Sequence, residues 1–547
     1  GSYRSDDVGA AWTRVSNNRM NGLMLNNVAS NVEISIFDDG VGTQVIYAAI
    51  LVFGQLSNGG VFRSTNRGVT WAELPQPVTQ ETGGEVGTNP TFKPDAGIPG
   101  GQGAIHFSIE ADPEFSSFVY VGGDRQPAGA GDCCGFPNGI GATDFSGRLF
   151  RGDVFSNLTD KWSHLTHSPN VVSKPFGGTA SVSAPHADSR EIAFDANGTL
   201  LEADDGGVYR RTLPPSKQGD WFSIIWNLGV TEIHDIAWDA VSNVAVSGNQ
   251  DTGTTYQAST GNTTWISFRT ADGGDILIDD TTSVAASTRY SSFQFLGNPR
   301  RSTWLSNNTL LSDELVSGSG FLGTPLFVTP LALNTIDRSR IVSSSREFIN
   351  ESFNRGTNFT PEPLFFGDNV FANFTANALA YGGRIDGATN ADLLWAGGVS
   401  GAYETIDPEG GAPVPPIPAP NVIVRPNLQA GLLVTNYPGR GGGFFERQPV
   451  DIEIDPANGR ICYVADQFGD ILRTMDFGVT WEDVGVRLGD VGVLRQLEFV
   501  TTATSRYLLV CADLGVFFTD IDSLDVDPTV ARWRELGTNL PNAPVWD

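Results

Sequence analysis

The sequence has little positive charge and no long apolar run. Its 547 residues carry 34 lysines and arginines against 62 aspartates and glutamates, which gives a formal net charge of −28. Because such an acidic surface repels a phosphate backbone, we expect no nucleic acid partner. No run of about 18 apolar residues could cross a bilayer, so we also expect no membrane span.

Cysteine is scarce as well, with four in the chain. Cys133 and Cys134 are adjacent, with Cα atoms about 3.8 Å apart, which is shorter than an unstrained disulfide allows. Their redox state stays open between two thiols and a strained bridge. Cys462 and Cys511 fall in second strands of neighbouring repeats but one step out of phase, so we expect two buried thiols. No Cys and His spacing typical of zinc is present.

Glycine, proline and tryptophan are abundant, with 64, 31 and 12 copies. Few stretches have the periodicity of an amphipathic helix, and this composition favours short strands joined by tight turns.

Three segments share the pattern [S/T]-x-[D/N]-x-G-x-x-W, which is an Asp-box. In each, the Asp or Asn side chain can accept hydrogen bonds from its own turn, the glycine can take a positive φ, and the tryptophan can bury its ring against a neighbouring sheet. Three copies indicate a repeat, and we expect a purely structural role. The conserved positions of the pattern are Ser5, Asp7, Gly9 and Trp12; Ser64, Asn66, Gly68 and Trp71; and Thr474, Asp476, Gly478 and Trp481.

Strand patterns repeat every 40 to 60 residues or so, as in propeller blades. Nine such units run between residues 32 and 537, and the ends of the chain, 1–15 and 543–547, supply complementary strands of a tenth. We therefore predict an all-β fold in which 1–547 form a single large β-propeller of about ten four-stranded blades. The N- and C-terminal strands pair to close it. Residues 125–143 form a loop insertion, and the Pro-rich residues 412–420 form a surface loop.

Several motifs resemble Asp-box (BNR-repeat) propellers of the sortilin-like and xyloglucanase-like glycosidase group. Ser183–Arg210 has that group's H-x-D opening, A-F-D strand and D-G-G-V-Y turn. Gly248–Thr254 is similar to its G-x-Q-D-N-G-T motif, Ala271–Asp275 to its G-D-G-G motif, and Tyr290–Arg300 to its Y-x-S-x-Q-Y…R stretch. The resemblance implies a propeller outside the cell, either secreted or at the cell surface. It leaves function open, because the group includes glycosidases, receptors and other secreted proteins.

Propeller geometry turns these motifs into a candidate site. Loops that enter first strands and turns between second and third strands lie on one face, opposite the Asp-boxes. Consecutive blades would bring an acidic group of side chains together there, as a site for a glycan, peptide or protein ligand. The candidate ligand-binding residues are His186, Asp188, Asp204, Asp205, His234, Asp235, Asp251 and Asp272.

The same residues also suit two other roles. Ordinary Asx and Gly turn chemistry would explain the aspartates, and structural hydrogen bonding would explain the histidines. Closely spaced carboxylates also suit Ca²⁺, although the sequence requires no cofactor. The candidate ligands for such an ion are Asp205, Asp251, Asp272 and Asp275.

Three functions remain open. We favour a binding propeller that recognises a glycan, peptide or cation on its acidic face. The alternative is a glycoside hydrolase with two carboxylates flanking a sugar, for which no catalytic residue stands out among 62 acidic side chains. A third is a structural subunit of an extracellular assembly. Such a subunit would explain why the closing blade lacks a visible second strand. A processed fragment or self-assembly would explain the same feature.

Overall fold

The computed structural model describes most of the chain, and the fold is given for residues 1–25, 29–81, 84–89, 101–127, 138, 142, 146–156, 161–166, 183–226, 229, 231–362, 364–366, 369–371, 374–400, 422–438, 448–527, 529, 532–537 and 544–545. Almost all regular structure in these residues is β-strand, which confirms the predicted all-β class. Two helices of six residues each also occur, α1 (Asn18–Leu23) and α2 (Ile521–Val526). Cys133 and Cys134, most of the 125–143 insertion and the Pro-rich 412–420 lie outside the described residues.

The chain divides into two units, Gly1–Val230 (unit 1) and Thr231–Asp547 (unit 2). The strands of unit 1 are β1 (Tyr3–Arg4), β2 (Thr13–Arg14), β3 (Ala29–Asp38), β4 (Gln44–Val52), β5 (Gln55–Ser64), β6 (Ala72–Leu74), β7 (Thr79–Glu81), β8 (Gly84–Val86), β9 (Ser108–Ala111), β10 (Phe118–Arg125), β11 (Gly147–Asp153), β12 (Trp162–His164), β13 (Glu191–Phe194), β14 (Leu200–Asp204), β15 (Gly207–Arg211) and β16 (Trp221–Ser223).

The strands of unit 2 are β17 (Ile233–Asp239), β18 (Val244–Asn249), β19 (Gly253–Gln257), β20 (Trp265–Ser267), β21 (Leu277–Asp279), β22 (Ala286–Phe293), β23 (Gly297–Leu305), β24 (Leu310–Leu315), β25 (Leu331–Leu333), β26 (Ile341–Ser344), β27 (Ile349–Ser352), β28 (Thr360–Glu362), β29 (Leu364–Phe366), β30 (Asn369–Phe371), β31 (Phe374–Ile385), β32 (Ala388–Ser400), β33 (Val422–Arg425), β34 (Leu433–Val434), β35 (Pro449–Ile454), β36 (Cys462–Asp466), β37 (Ile471–Thr474), β38 (Glu482–Asp483), β39 (Leu494–Thr501), β40 (Arg506–Ala512), β41 (Gly515–Asp520) and β42 (Arg534–Glu535). A 3₁₀ turn, Gln294–Leu296, joins β22 to β23.

Nine four-stranded antiparallel sheets form within the described residues, each with its strands in chain order. Unit 1 holds blade 1 (β3–β6), blade 2 (β9–β12) and blade 3 (β13–β16). Unit 2 holds blade 4 (β17–β20), blade 5 (β21–β24), blade 6 (β25–β28), blade 7 (β31–β34), blade 8 (β35–β38) and blade 9 (β39–β42). Within each unit the first strand of one blade contacts the first strand of the next, as in a propeller.

Three smaller sheets accompany the blades: β1–β2, β7–β8 and β29–β30. The expected tenth blade is represented by the two-stranded β1–β2 sheet. At the other end of the chain, the Val545 N–H donates to Ala512 O at the end of β40, in blade 9. Closure by terminal pairing, and hence a single ring, stays a prediction.

The cores lie between neighbouring blades. Second strands such as β4, QVIYAAILV, are apolar along almost their whole length, because both of their faces are covered. Tyr47, Phe107, Phe150 and Trp162 fill the space between blades 1 and 2. Each such side chain contributes roughly 1.5–3 kcal/mol on burial. Cys462 is buried, as expected, whereas Cys511 is half-buried, and no disulfide joins the two.

A buried ionic network joins blades 6 and 7. Glu351 is fully buried and accepts hydrogen bonds from Arg340 Nη2 at 2.5 Å, from Arg425 Nη1 at 2.6 Å and from the Tyr381 hydroxyl. Arg340 also pairs with Asp392 at 2.7 Å. Two guanidinium groups therefore neutralise one buried carboxylate, which limits the cost of desolvating it.

All three Asp-box turns contain the same two hydrogen bonds. The first residue's hydroxyl accepts from the glycine N–H, and the third residue's side-chain oxygen accepts from the N–H four residues later. The glycines have φ of +79° to +91°, and the residue before each has φ of +58° to +60°. The bonds are 2.7–2.8 Å long and join Ser5 to Gly9, Asp7 to Ala11, Ser64 to Gly68, Asn66 to Thr70, Thr474 to Gly478 and Asp476 to Thr480.

The tryptophans of these turns differ in burial. Trp481 is half-buried and packs edge-on against Tyr437, with ring centroids 5.0 Å apart, and half-buried Trp71 donates to Val15 O at 2.8 Å. Trp12, which we expected to be buried, is 63% exposed, so that expectation is wrong. Trp12 directly precedes β2 of a two-stranded sheet, which offers less apolar surface than a four-stranded blade.

Candidate functional site

The predicted site residues fall into two groups, one in each unit. His186, Asp188, Asp204 and Asp205 belong to unit 1, and His234, Asp235, Asp251, Asp272 and Asp275 belong to unit 2. In blade 3, strand order places the β14–β15 turn and the loop that enters β13 at the same end of the sheet. In blade 1, the Asp-box turn joins the third strand, β5, to the fourth, β6, and therefore lies at the opposite end of its sheet. That the two groups form one site stays a prediction.

In unit 2, two of these aspartates connect neighbouring blades. Asp235 Oδ2 accepts from the Ile276 N–H at 2.5 Å, and Asp275 Oδ2 accepts from the Leu331 N–H at 2.8 Å. Asp451 Oδ2 accepts from the Leu497 N–H at 2.7 Å in the same way. Each carboxylate lies in or just before a first strand and binds the main chain of the next blade, so these aspartates have a structural role.

The remaining unit 2 residues form a hydrogen-bonded chain. His234 Nδ1 lies 2.7 Å from Gly273 O, and its Nε2 lies 3.1 Å from Gln250 Oε1. Gln250 donates to Asp272 Oδ1 at 2.7 Å, and the Asp251 N–H donates to the same oxygen at 2.9 Å. Both ring nitrogens of His234 are thus engaged within the fold. Of the four aspartates considered for calcium, Asp272 and Asp275 already accept main-chain N–H groups.

In unit 1, His186 and Asp204 support the β14–β15 turn. Asp204 Oδ1 accepts from the Gly206 N–H at 2.8 Å. A Cβ atom on Gly206 would lie 2.4 Å from the Cβ of His186, so only glycine fits beneath this imidazole. His186 therefore covers the turn.

A buried carboxyl pair, Glu202 and Asp204, lies beside this turn. The two residues are two apart on β14, so their side chains share one face, and Glu202 is only 1% exposed. Burial, together with the nearby Asp204, raises the pKa of Glu202 well above its ordinary value. Burial likewise raises the pKa of Asp204 to about 7, against the opposing effects of its hydrogen bonds and of His186. The pair therefore holds a proton where ordinary carboxyl groups do not.

Asp188 and Asp205 lie around a histidine that the sequence did not single out. His106, in the loop before β9, is 4% exposed. Its Nδ1 is 3.3 Å from Asp188 Oδ1 and 4.0 Å from Asp124 Oδ1, and its Nε2 is 3.7 Å from Asp205 Oδ2. Arg190 Nε donates to Asp205 Oδ1 at 2.8 Å. Asp124 ends β10, so blades 2 and 3 together build this cluster.

Hydrogen bonds from Asn89 and Gln102 hold this cluster in place. Asp124 accepts from Asn89 Nδ2 at 2.7 Å and from the Gln102 N–H at 2.9 Å, and Asn89 Nδ2 also donates to His106 O at 2.9 Å. Burial raises the pKa of Asp124 to about 7 despite these bonds. For His106, burial lowers the pKa, but the Asp188 and Asp205 carboxylates outweigh it and leave the pKa raised.

Sequence reasoning missed His106, Asp124, Arg190 and Glu202. Two of them had a usable pattern: Glu202 precedes Asp204 by two residues on a strand and so shares its face, and Arg190 lies two residues after the H-x-D motif. His106 and Asp124 come from a different blade, and nothing local in the sequence connects them to Asp188.

Comparisons with known proteins assign no family. No family model and no curated protein matches the chain. Among solved structures it is similar to the GH74 xyloglucanase from Xanthomonas campestris, with a TM-score of 0.36 and 14% identity over 92% of this chain and 78% of that one. It is also similar to Sqt1 from Saccharomyces cerevisiae, with a TM-score of 0.34 and 10% identity over 85% of this chain and 100% of that one. Neither likeness is close enough to assign an activity.

The described residues also contain no helix with the length and apolarity needed to cross a membrane.

Proposed function

We propose that this chain is a secreted or cell-surface binding protein that recognises a glycan through the acidic cluster of unit 1, which is formed by His106, Asp124, Asp188, Arg190 and Asp205. The observation that carries the proposal is the combination of charged groups at the exposed side of this cluster. The side chains of Asp188 and Asp205 are 13% and 15% exposed, and that of Arg190, which pairs with Asp205, is 45% exposed. Sugar hydroxyls both donate and accept hydrogen bonds, so adjacent carboxylate and guanidinium groups suit them.

Burial favours binding over hydrolysis. A glycoside hydrolase needs a protonated carboxyl group that reaches the glycosidic oxygen. The carboxyl groups whose pKa burial raises here, in Glu202, Asp124 and Asp204, are 1%, 0% and 9% exposed, and both oxygens of Asp124 accept hydrogen bonds from the protein. The accessible carboxylates can therefore hold a sugar, whereas the acidic protons are out of its reach.

Glycan binding is tested with an oligosaccharide array, followed by calorimetric titration of the selected sugar into chelator-treated protein. We expect Asp205→Asn to weaken binding at least tenfold, because the carboxylate that orients Arg190 is lost. Glu114→Gln is the matched control, since it removes one acidic charge from the exposed β9–β10 turn at the other end of blade 2.

Failure of the wild-type chain to bind any glycan, or equal affinity in Asp205→Asn, would overturn the proposal. Release of reducing sugar would instead identify a hydrolase. Binding of basic peptides in place of sugars would identify a peptide receptor.

A further inference from the structure

Within the acidic cluster, three potential metal ligands converge. His106, Asp124 and Asp188 each offer one ligand atom, and the three atoms lie within 4.8 Å of one another. The His106 and Asp188 atoms are 3.3 Å apart. Metal–ligand bonds of about 2.0–2.2 Å place two ligands of one ion roughly 3.0–3.5 Å apart, so this spacing fits a shared ion, and Asp124 needs only a small shift.

Two of the three candidate ligand atoms lack a hydrogen bond. Neither His106 Nδ1 nor Asp188 Oδ1 makes a hydrogen bond of acceptable geometry within the described part of the chain, although both are inaccessible to solvent. Leaving buried polar atoms without hydrogen bonds is costly. The two atoms lie 3.3 Å apart, so one cation bound to both would compensate both.

The surroundings of His106 also favour a metal. Its second ring nitrogen, Nε2, faces Asp205 Oδ2 at 3.7 Å, and Arg190 holds the other oxygen of that carboxylate. Histidine ligands commonly donate their second N–H to a carboxylate, which fixes the tautomer with the lone pair toward the metal. Asn89 and the Gln102 N–H fix Asp124 in the same supporting manner.

We propose that His106 Nδ1, Asp124 Oδ1 and Asp188 Oδ1 bind one divalent transition-metal ion, Mn²⁺ or Zn²⁺. A nitrogen ligand with two carboxylates suits these ions, whereas Ca²⁺ takes six to eight oxygens. The side chain of Asp188 is 13% exposed, which gives an ion access to the cluster from solvent. The inference goes beyond glycan recognition, since the three ligands converge whether or not a sugar binds.

The test uses the full chain, stripped with a chelator, dialysed and titrated without sugar. Mn²⁺ binding is followed by electron paramagnetic resonance, and Zn²⁺ and Ca²⁺ binding by calorimetry. We expect one Mn²⁺ or Zn²⁺ per chain and weaker binding of Ca²⁺. Asp188→Asn and His106→Gln should each weaken Mn²⁺ binding at least tenfold, while Glu114→Gln should bind like the wild type.

Asp188→Asn keeps the shape of a partly exposed side chain, so we expect the variant to fold. Its melting temperature shows whether weaker metal binding comes from the loss of a ligand or from unfolding. The inference is overturned if the wild type binds neither Mn²⁺ nor Zn²⁺, if a folded Asp188→Asn variant binds as the wild type does, or if Ca²⁺ binds more tightly than both. Because no sugar is present, these outcomes are independent of the glycan experiment.

Discussion

At the scale of single residues, similar aspartates serve different purposes according to their burial. Asp476 is only slightly buried. This burial raises its pKa, but hydrogen bonds within the turn, chiefly from Thr480, have a larger effect, so the pKa is lowered. Asp204 has a similar turn bond to Gly206, yet burial raises its pKa. Desolvation therefore decides which carboxyl groups carry protons in this chain.

The buried Glu202 and Asp204 pair should make unit 1 less stable at alkaline pH. Their pKa is raised in the folded state, so the folded chain binds more protons than the unfolded chain above about pH 4, and stability falls as the pH rises through about 7. We expect the melting temperature to drop by several degrees between pH 5 and pH 8. Calorimetry across this range measures the effect.

Glu202→Gln keeps the side-chain shape but removes one buried charge, so it should raise the melting temperature at pH 8 and flatten the pH dependence. Asp205 and His186 are the other titratable groups near this pair, and Asp124 also contributes a loss of stability as the pH rises. Glu114→Gln should leave the profile unchanged. A steeper profile in Glu202→Gln than in the wild type would contradict the prediction.

At the scale of strands and blades, the first strands of unit 2 are joined by side chains as well as by packing. Three of them carry an Asp-Ile pair, at Asp235, Asp275 and Asp451, and each aspartate binds an N–H of the next blade. The first strand of each blade is an edge strand, so some of its main-chain N–H groups have no partner within its own sheet. An aspartate of the preceding blade accepts a hydrogen bond from one of these groups.

Asp275→Ala should therefore destabilise unit 2 by about 1–3 kcal/mol, because the N–H of half-buried Leu331 loses a charged acceptor. Asp275→Asn keeps an oxygen in the same place and should cost less. Urea unfolding monitored by tryptophan fluorescence compares both variants with Glu535→Ala, a control on exposed β42. Equal stability of Asp275→Ala and the wild type would show that this bond contributes nothing.

At the scale of the whole molecule, the open question is ring closure. Within unit 1 the N-terminal segment is attached to blade 1: Arg67 pairs with Asp6 at 2.7 Å, and Trp71 donates to Val15 O. Such an attachment is expected of a strand pair that belongs to a closing blade.

If the ends close one ring, the chain should unfold in a single calorimetric transition, and deletion of residues 1–15 should lower its melting temperature by several degrees. Two separate transitions, of which only one responds to the deletion, would instead mean that units 1 and 2 fold independently. Glu114→Gln again serves as a control for a change at the surface.

The sequence by itself determined the repeat and the local chemistry of its turns. The Asp-box pattern predicts its own hydrogen bonds, because both partners of each bond lie within four residues. Alternating and continuous apolar runs likewise placed a repeat unit at each of the nine four-stranded sheets of the described residues, because a strand's pattern records whether one or both of its faces are covered.

Only the tertiary structure decided which acidic residues meet. Asp235, predicted to bind a ligand, and Asp275, predicted as a candidate metal ligand, each bind a main-chain N–H group of the next blade, a contact that the sequence did not indicate. His106 lies 82 residues before Asp188 in the chain and reaches it because blades 2 and 3 pack side by side. Burial, which sets the pKa of Asp124 and Glu202, also depends on that packing, and no local pattern in the sequence records it.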